Sequence, residues 1–204
     1  MTPTEKQNMY LTTLSDADLL PHALEAMHAL NRRAKEKRDR RNRFRRERFA
    51  ERLSEEIDRI YRLKDRLLTS LVEVGLATVE TFAAGRGSFF CASCDRDWRG
   101  TMDDDTCHVC GGTGQCEADR WYVVSVGGHR FHQPGDSASD RMREIATEIA
   151  PHDPTQPARE IPRCGLTIEA QHACVEMMIT RLRARCGEPP PAAAQDGASA
   201  PAAG

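Results

Sequence analysis

Long apolar runs are missing from this chain. No stretch approaches the ~18 residues of a membrane span. Aromatic residues supply 5% of the 204 positions while charged residues supply 29%, so a single large core is not expected. The first twenty residues hold no basic segment leading into an apolar run, and no signal peptide is expected. A reducing, cytoplasmic setting follows from that reading. Eight cysteines there read as metal ligands and buried thiols, not as a disulfide framework. The P-loop, dinucleotide-binding, nucleophile-elbow and HExxH motifs are absent, as is the signature of the zinc deaminases. Paired carboxylates occur only in exposed helix or loop contexts, so no catalytic residue is assigned and the chain reads as a non-enzyme.

Glycine and proline are both missing from His22 to Val74, about 53 residues. Continuous helix over that length would reach roughly 80 Å at 1.5 Å per residue, and a break near Asn31 or Asp39–Asn42 would fold it into a hairpin. Residues 1–14 read as a flexible leader and 15–84 as a helical arm. Within the arm, segment 31–52 is basic. Residues 32–52 carry twelve Arg or Lys against four Asp or Glu, so the net charge of −2 conceals a strong asymmetry. Such a segment offers no apolar stripe to a core, and a polyanion would relieve its self-repulsion by counterion release. The candidate nucleic-acid contacts are Arg32, Arg33, Lys35, Lys37, Arg38, Arg40, Arg41, Arg43, Arg45, Arg46 and Arg48. A solvated helix or an acidic protein surface are the competing readings. Segment 53–78 then places Leu53, Ile57, Ile60, Lys64, Leu67, Leu71, Val74 and Thr78 at alternating spacings of four and three. That pattern suits an amphipathic helix packed on its own domain or a dimeric or intramolecular coiled coil, with a protein partner or a second copy as the possible occupant of 53–78.

Cysteine is concentrated in two CxxC pairs, Cys91-Ala-Ser-Cys94 and Cys107-His-Val-Cys110. Each pair is the shortest turn that aims two thiolates at one ion, and together they complete a four-sulfur shell suited to one structural Zn²⁺ per chain. The expected zinc ribbon covers residues 85–134. It contains a short strand at Trp98–Met102 and a hairpin of Arg120–Val126 with His129–Gln133 turning at Gly127-Gly128. Cys116 reads as a spare thiol that could replace one ligand, and His108 as a surface imidazole. His129 and His132 are placed on opposite strand faces by their odd spacing. Trp98, Trp121, Tyr122, Arg96, Arg99 and Arg130 are candidate contacts on the ribbon, the aromatics serving either as core or as stacking platforms.

The second knuckle continues as Cys107-His-Val-Cys110-Gly-Gly-Thr-Gly114, and these eight residues resemble one CxxCxGxG repeat of the DnaJ-type cysteine-rich zinc domain. That resemblance implies binding of unfolded client proteins. The first pair is followed by Asp95-Arg96-Asp97-Trp98, without the glycines, and no His-Pro-Asp occurs in the helical arm.

Residues 135–186 are expected as a C-terminal helical segment. It comprises a helix over Ser137–Ala150, a Pro-rich linker at 151–163, and a helix from Thr167 to about Arg185 with Ile168, His172, Val175, Met178, Ile179 and Leu182 on one face. Cys174 and Cys186 read as buried or half-buried thiols, and 187–204 as a disordered Pro/Ala-rich tail. The expected fold is mainly α with a small β zinc ribbon. The expected function is a zinc-binding, non-catalytic, nucleic-acid-associated protein, with a protein-interaction adaptor as the alternative.

Overall fold

The computed structural model describes residues 1–43, 47–101, 104, 106–150 and 164–187, with the side chains of 47–49, 84 and 116–118 outside that set. Its first element is a helix, α1 (Pro3–Thr13), where a flexible leader was expected. The start is locally encoded. Thr2 Oγ1 accepts from Glu5 N, the Glu5 carboxylate accepts from Thr2 N at 2.6 Å, and Pro3 stands in the first turn. Leu11 is fully buried, and Gln7 reaches Gly165 O and Thr167 N.

The long glycine-free stretch forms two helices, α2 (Asp16–Arg43) and α3 (Glu47–Glu73). Ser15 caps the first by accepting from Asp18 N. The pair is antiparallel, since Lys37 pairs with Glu56 while Arg41 Nη1 donates to Ser54 Oγ at 3.1 Å. Residues 44–46, which join them, lie outside the described set. The heptad seam is consumed inside the chain: Leu53, Ile57, Ile60, Lys64, Leu67 and Leu71 are all buried. It also ends earlier than the spacing suggests. Gly75 adopts φ +71°, its N–H bonds Val72 O at 3.0 Å, and Leu76 N bonds Leu71 O at 3.0 Å. This double closure terminates α3 before Thr78, so 78–84 is strand instead of arm.

Five strands follow: β1 (Thr78–Cys91), β2 (Arg96–Thr101), β3 (Gln115–Val126), β4 (His129–Pro134) and the short β5 (Thr147–Glu148). The antiparallel order is β2-β1-β3-β4, and β5 joins β1 in parallel at Glu80 and Thr81. Gly127 and Gly128 turn β3 into β4 with φ of +53° and +78°, the two left-handed positions that a tight I′ hairpin requires. The sheet is larger than a metal-pinned ribbon. β1 and β3 run for 14 and 12 residues from beneath the helices to the cysteine end, and the fold is mixed α/β.

Ser137–Ala150 is not one helix. A 3₁₀ turn at Gly135–Ser137, the six-residue α4 (Asp140–Ile145) capped by Ser139, and β5 divide it. Linker residues 151–163 and tail residues 188–204 lie outside the described set. The last helix, α5 (Ile168–Arg185), is capped by Thr167 and buries Cys174, Val175, Met178, Ile179 and Leu182. Helices α2 and α3 reach the sheet at Phe131, His132 and Gln133, and α5 packs against both helices. Val79, Tyr122, Val124, Val126 and Phe131 belong to the same core cluster. Phe89, Cys91 and Cys107 are buried at the far end of the sheet, apart from that core cluster.

Candidate metal centre

Two similar turns build the thiol cluster. Cys91 ends β1, Cys94 N bonds back to Cys91 O at 3.3 Å, and Asp95 follows with φ +51°. In the second turn Gly111 N bonds Cys107 O at 2.8 Å and Cys107 N bonds Gly112 O at 2.9 Å, with Gly111 at φ +71°. Asp95 thus takes the left-handed position that Gly111 takes in its partner turn, a conformation aspartate tolerates better than most residues. The first knuckle needs no glycine for that reason.

The Sγ atoms of Cys91, Cys94, Cys107 and Cys110 all lie within 4.8 Å of one another, with Cys91 and Cys110 3.6 Å apart. A tetrahedral Zn–S₄ shell with bonds of about 2.3 Å separates its sulfurs by about 3.8 Å, so the donor set fits such an ion. Electrostatics agree. Backbone N–H groups of Cys110 and then Val109 hold the Cys107 thiol down at about 6, whereas hydrogen bonding with Cys110, then burial, pushes the Cys94 thiol up to about 12. Thiols this close cannot all ionise without a cation among them, and a divalent ion supplies that charge. The four sulfurs could fill a tetrahedral shell by themselves.

Trp98 supports the centre from outside. Its indole stacks on Phe89 at 5.3 Å and 14°, meets His108 edge-on at 5.5 Å, and lies so close to Gly114 that no side chain fits there. Trp98 is therefore packing material for the ribbon, and His108 is a surface imidazole against it. Tyr122 is buried toward the helices. Arg99 engages both carboxylate oxygens of Asp119, Arg130 pairs with Glu80 at 2.9 Å, and Arg96 stays exposed. His129 stacks on His28, while the His132 side chain is exposed, so the two do not converge. Cys174 is buried, which pushes its thiol up to about 12, and Cys186 is exposed, not half-buried. The Cys116 side chain lies outside the described set.

The basic segment begins around Ala34, the last buried residue of α2, with Arg32 and Arg33 just before it and the other bases beyond it. Arg32, Lys35, Arg38, Arg40 and Arg43 are exposed, and Arg33, Lys37 and Arg41 are half-buried. Lys37 is committed to Glu56 and Arg41 to Ser54. At about 100° per residue, Arg32, Lys35 and Arg43 fall within about 80° of one another on the outward side. Glu36 and Asp39 share that side and dilute its charge. Arg45 and Arg46, and the Arg48 side chain, lie outside the described set.

Compared with protein-family models, curated proteins and solved structures, the chain matches none. Among the described residues no helix is long and apolar enough to cross a membrane. Sequence reasoning missed a second polar cluster, where His28, Lys64, Asp65 and Gln133 are gathered between α2, α3 and β4. Its one sequence signal was Lys64 at a seam position otherwise taken by apolar residues.

Proposed function

We propose that this chain is a zinc-binding, non-catalytic protein that associates with nucleic acid through the basic tip of its helical hairpin. Four sulfurs within 4.8 Å of one another carry the zinc reading. A closed thiolate shell leaves no coordination position for substrate, so the ion's role is to hold the β1–β2 end of the sheet and the second knuckle together. The nucleic-acid reading is supported by eight bases against two acids over residues 32–43. Five of those bases are exposed, and four of them, Lys35, Arg38, Arg40 and Arg43, lie beyond Ala34, the last buried residue of α2. Binding of this kind tracks phosphates and carries no base readout.

Elemental analysis should give about one zinc per chain. Anisotropy of labelled 20-mer DNA and RNA tests the second half. If Arg32, Lys35 and Arg43 each neutralise one phosphate, the salt slope is about −2.7, an affinity loss of about 40-fold between 50 and 200 mM salt. Changing all three to Glu should abolish binding. Undetectable binding of either polymer at about 50 mM salt would remove the nucleic-acid reading and leave the zinc reading intact. The adaptor reading is favoured by one observation, the exposure of Phe90 (38%) and Val109 (61%) beside the thiol cluster. It predicts partner capture that is lost on Val109→Asp and indifferent to the arginine changes.

A further inference from the structure

Buried polar groups converge where α2 and α3 cross β4, well apart in the sheet from the thiols. From α3, Lys64 donates to His132 O at 3.0 Å, and Asp65 accepts from Gln133 Nε2 at 2.6 Å. From α2, His28 stacks on Phe131 at 4.2 Å and 17°, and Asn31 lies one turn further along. His28 Nε2, Asn31 Oδ1 and Gln133 Oε1 are buried without a hydrogen-bond partner. His28 is 9% exposed and Gln133 0%. His28, Asn31, Lys64 and Asp65 line a cleft of about 370 Å³ that Tyr61 and Trp121 flank and Arg38 enters.

Polar side chains in a packed interior are ordinarily satisfied, and here two residues with an unpartnered buried atom, His28 and Asn31, stand in the wall of one cleft. The Lys64 ammonium has three donors and, among the described residues, one acceptor, a neutral carbonyl. We propose that this cleft binds a small organic anion, a carboxylate or phosphate that also carries hydroxyl or amine donors. Lys64 and Arg38 would meet the anionic group. Asn31 Oδ1 and the neutral His28 Nε2 would accept from the donors, while the Tyr61 and Trp121 rings close the sides. The opposing charge is Asp65, which Gln133 already engages. Arg130, also on the cleft, is balanced by Glu80. A volume of 370 Å³ suits a metabolite-sized ligand and not a polymer. The inference stands independently of both the zinc and the nucleic-acid readings.

Isothermal titration calorimetry on the full, zinc-loaded chain tests it with glycerol 3-phosphate, L-malate and glycerol. One or both anions should saturate with a dissociation constant below about 1 mM, and which one does identifies the anionic group. Uncharged glycerol should give no binding. Lys64→Met, which keeps the apolar stem, and Asn31→Leu should each weaken the anion by about tenfold or more. Lys35→Glu with Arg43→Glu should leave it unchanged, separating the cleft from diffuse attraction to the hairpin tip. The proposal fails if neither anion saturates by about 10 mM. It fails equally if folded Lys64→Met and Asn31→Leu variants bind as the parent does, or if glycerol binds as well as the anions.

Discussion

Gly114→Ala should weaken zinc binding although residue 114 contributes no ligand. A Cβ built on Gly114 overlaps the Trp98 indole, with Cζ2 2.9 Å and Cζ3 3.3 Å away. Stacking on Phe89, which is 1% exposed, limits how far the indole can retreat. Overpacking of this kind costs about 1–3 kcal/mol. The knuckles and the metal site form together, so the cost appears in zinc affinity as a loss of about 5- to 150-fold. Competition against a chromophoric chelator measures it. Gly85→Ala is the control, since a Cβ at Gly85 meets nothing within 4 Å. Trp98→Leu in the Gly114→Ala background should recover part of the loss, giving a coupling energy of about 1 kcal/mol or more in the double-mutant cycle. Zinc affinity within twofold of the parent for Gly114→Ala, or strict additivity of the two changes, would refute the cradle.

Three further outcomes are expected. A strong chelator should remove about one zinc per chain and abolish hydrogen-exchange protection at Phe89–Gln115 while the helical far-UV signal persists, because Phe89, Cys91 and Cys107 lie outside the main core cluster; concerted loss of both signals would show the two ends to be one cooperative unit. Leu11→Ala should cost about 2–5 kcal/mol in urea unfolding, since Leu11 is 0% exposed, and a change under about 0.5 kcal/mol would mean that α1 is not anchored. Burial, then the charges of His129 and Arg32, lower His28 to about 4 from 6.5. The unfolded state therefore binds the extra proton first, and stability present above about pH 6.5 is lost as pH falls toward 4. His28→Phe should flatten that part of the profile relative to the parent, and parallel profiles would assign the acid sensitivity elsewhere.

The thiol cluster was legible because its geometry is local: CxxC fixes two sulfurs through one turn, and only the loop of twelve residues had to close to join the pairs. The Gly127-Gly128 hairpin was legible for the same reason, both residues being needed at positive φ. Helix α1 was missed although Thr2, Pro3 and Glu5 spell a capping box. Its few apolar residues form no stripe along one face, and Leu11 is the one it buries. What holds it is contact with Gly165 and Thr167, some 158 and 160 positions away. The extent of the sheet was missed because Thr78-Val79-Glu80-Thr81 continues the helical seam at Thr78 while also alternating as a strand. Gly75 decides between the two by closing α3 first.

Lys64 shows the limit most clearly. In a zipper, a polar residue at a core position sets register between two chains, and the spacing alone allows that. Here the seam packs within one chain, so register needs no such device: Leu67 and Leu71 are 0% exposed and already key α3 into the core. A buried ammonium with one carbonyl acceptor is then a cost that packing does not require, since Met would fill the same stem volume without a charge to desolvate. The unpartnered atoms of His28, Asn31 and Gln133 around the same strand compound that cost in one place. Lys64, His28 and Asn31, which all line the cleft, are better explained by something that binds there than by the fold. Lys64→Met is therefore expected to raise the midpoint of urea unfolding in the absence of ligand while weakening the anion in the cleft. A lowered midpoint would show that the ammonium serves the fold itself, through its bond to His132 O.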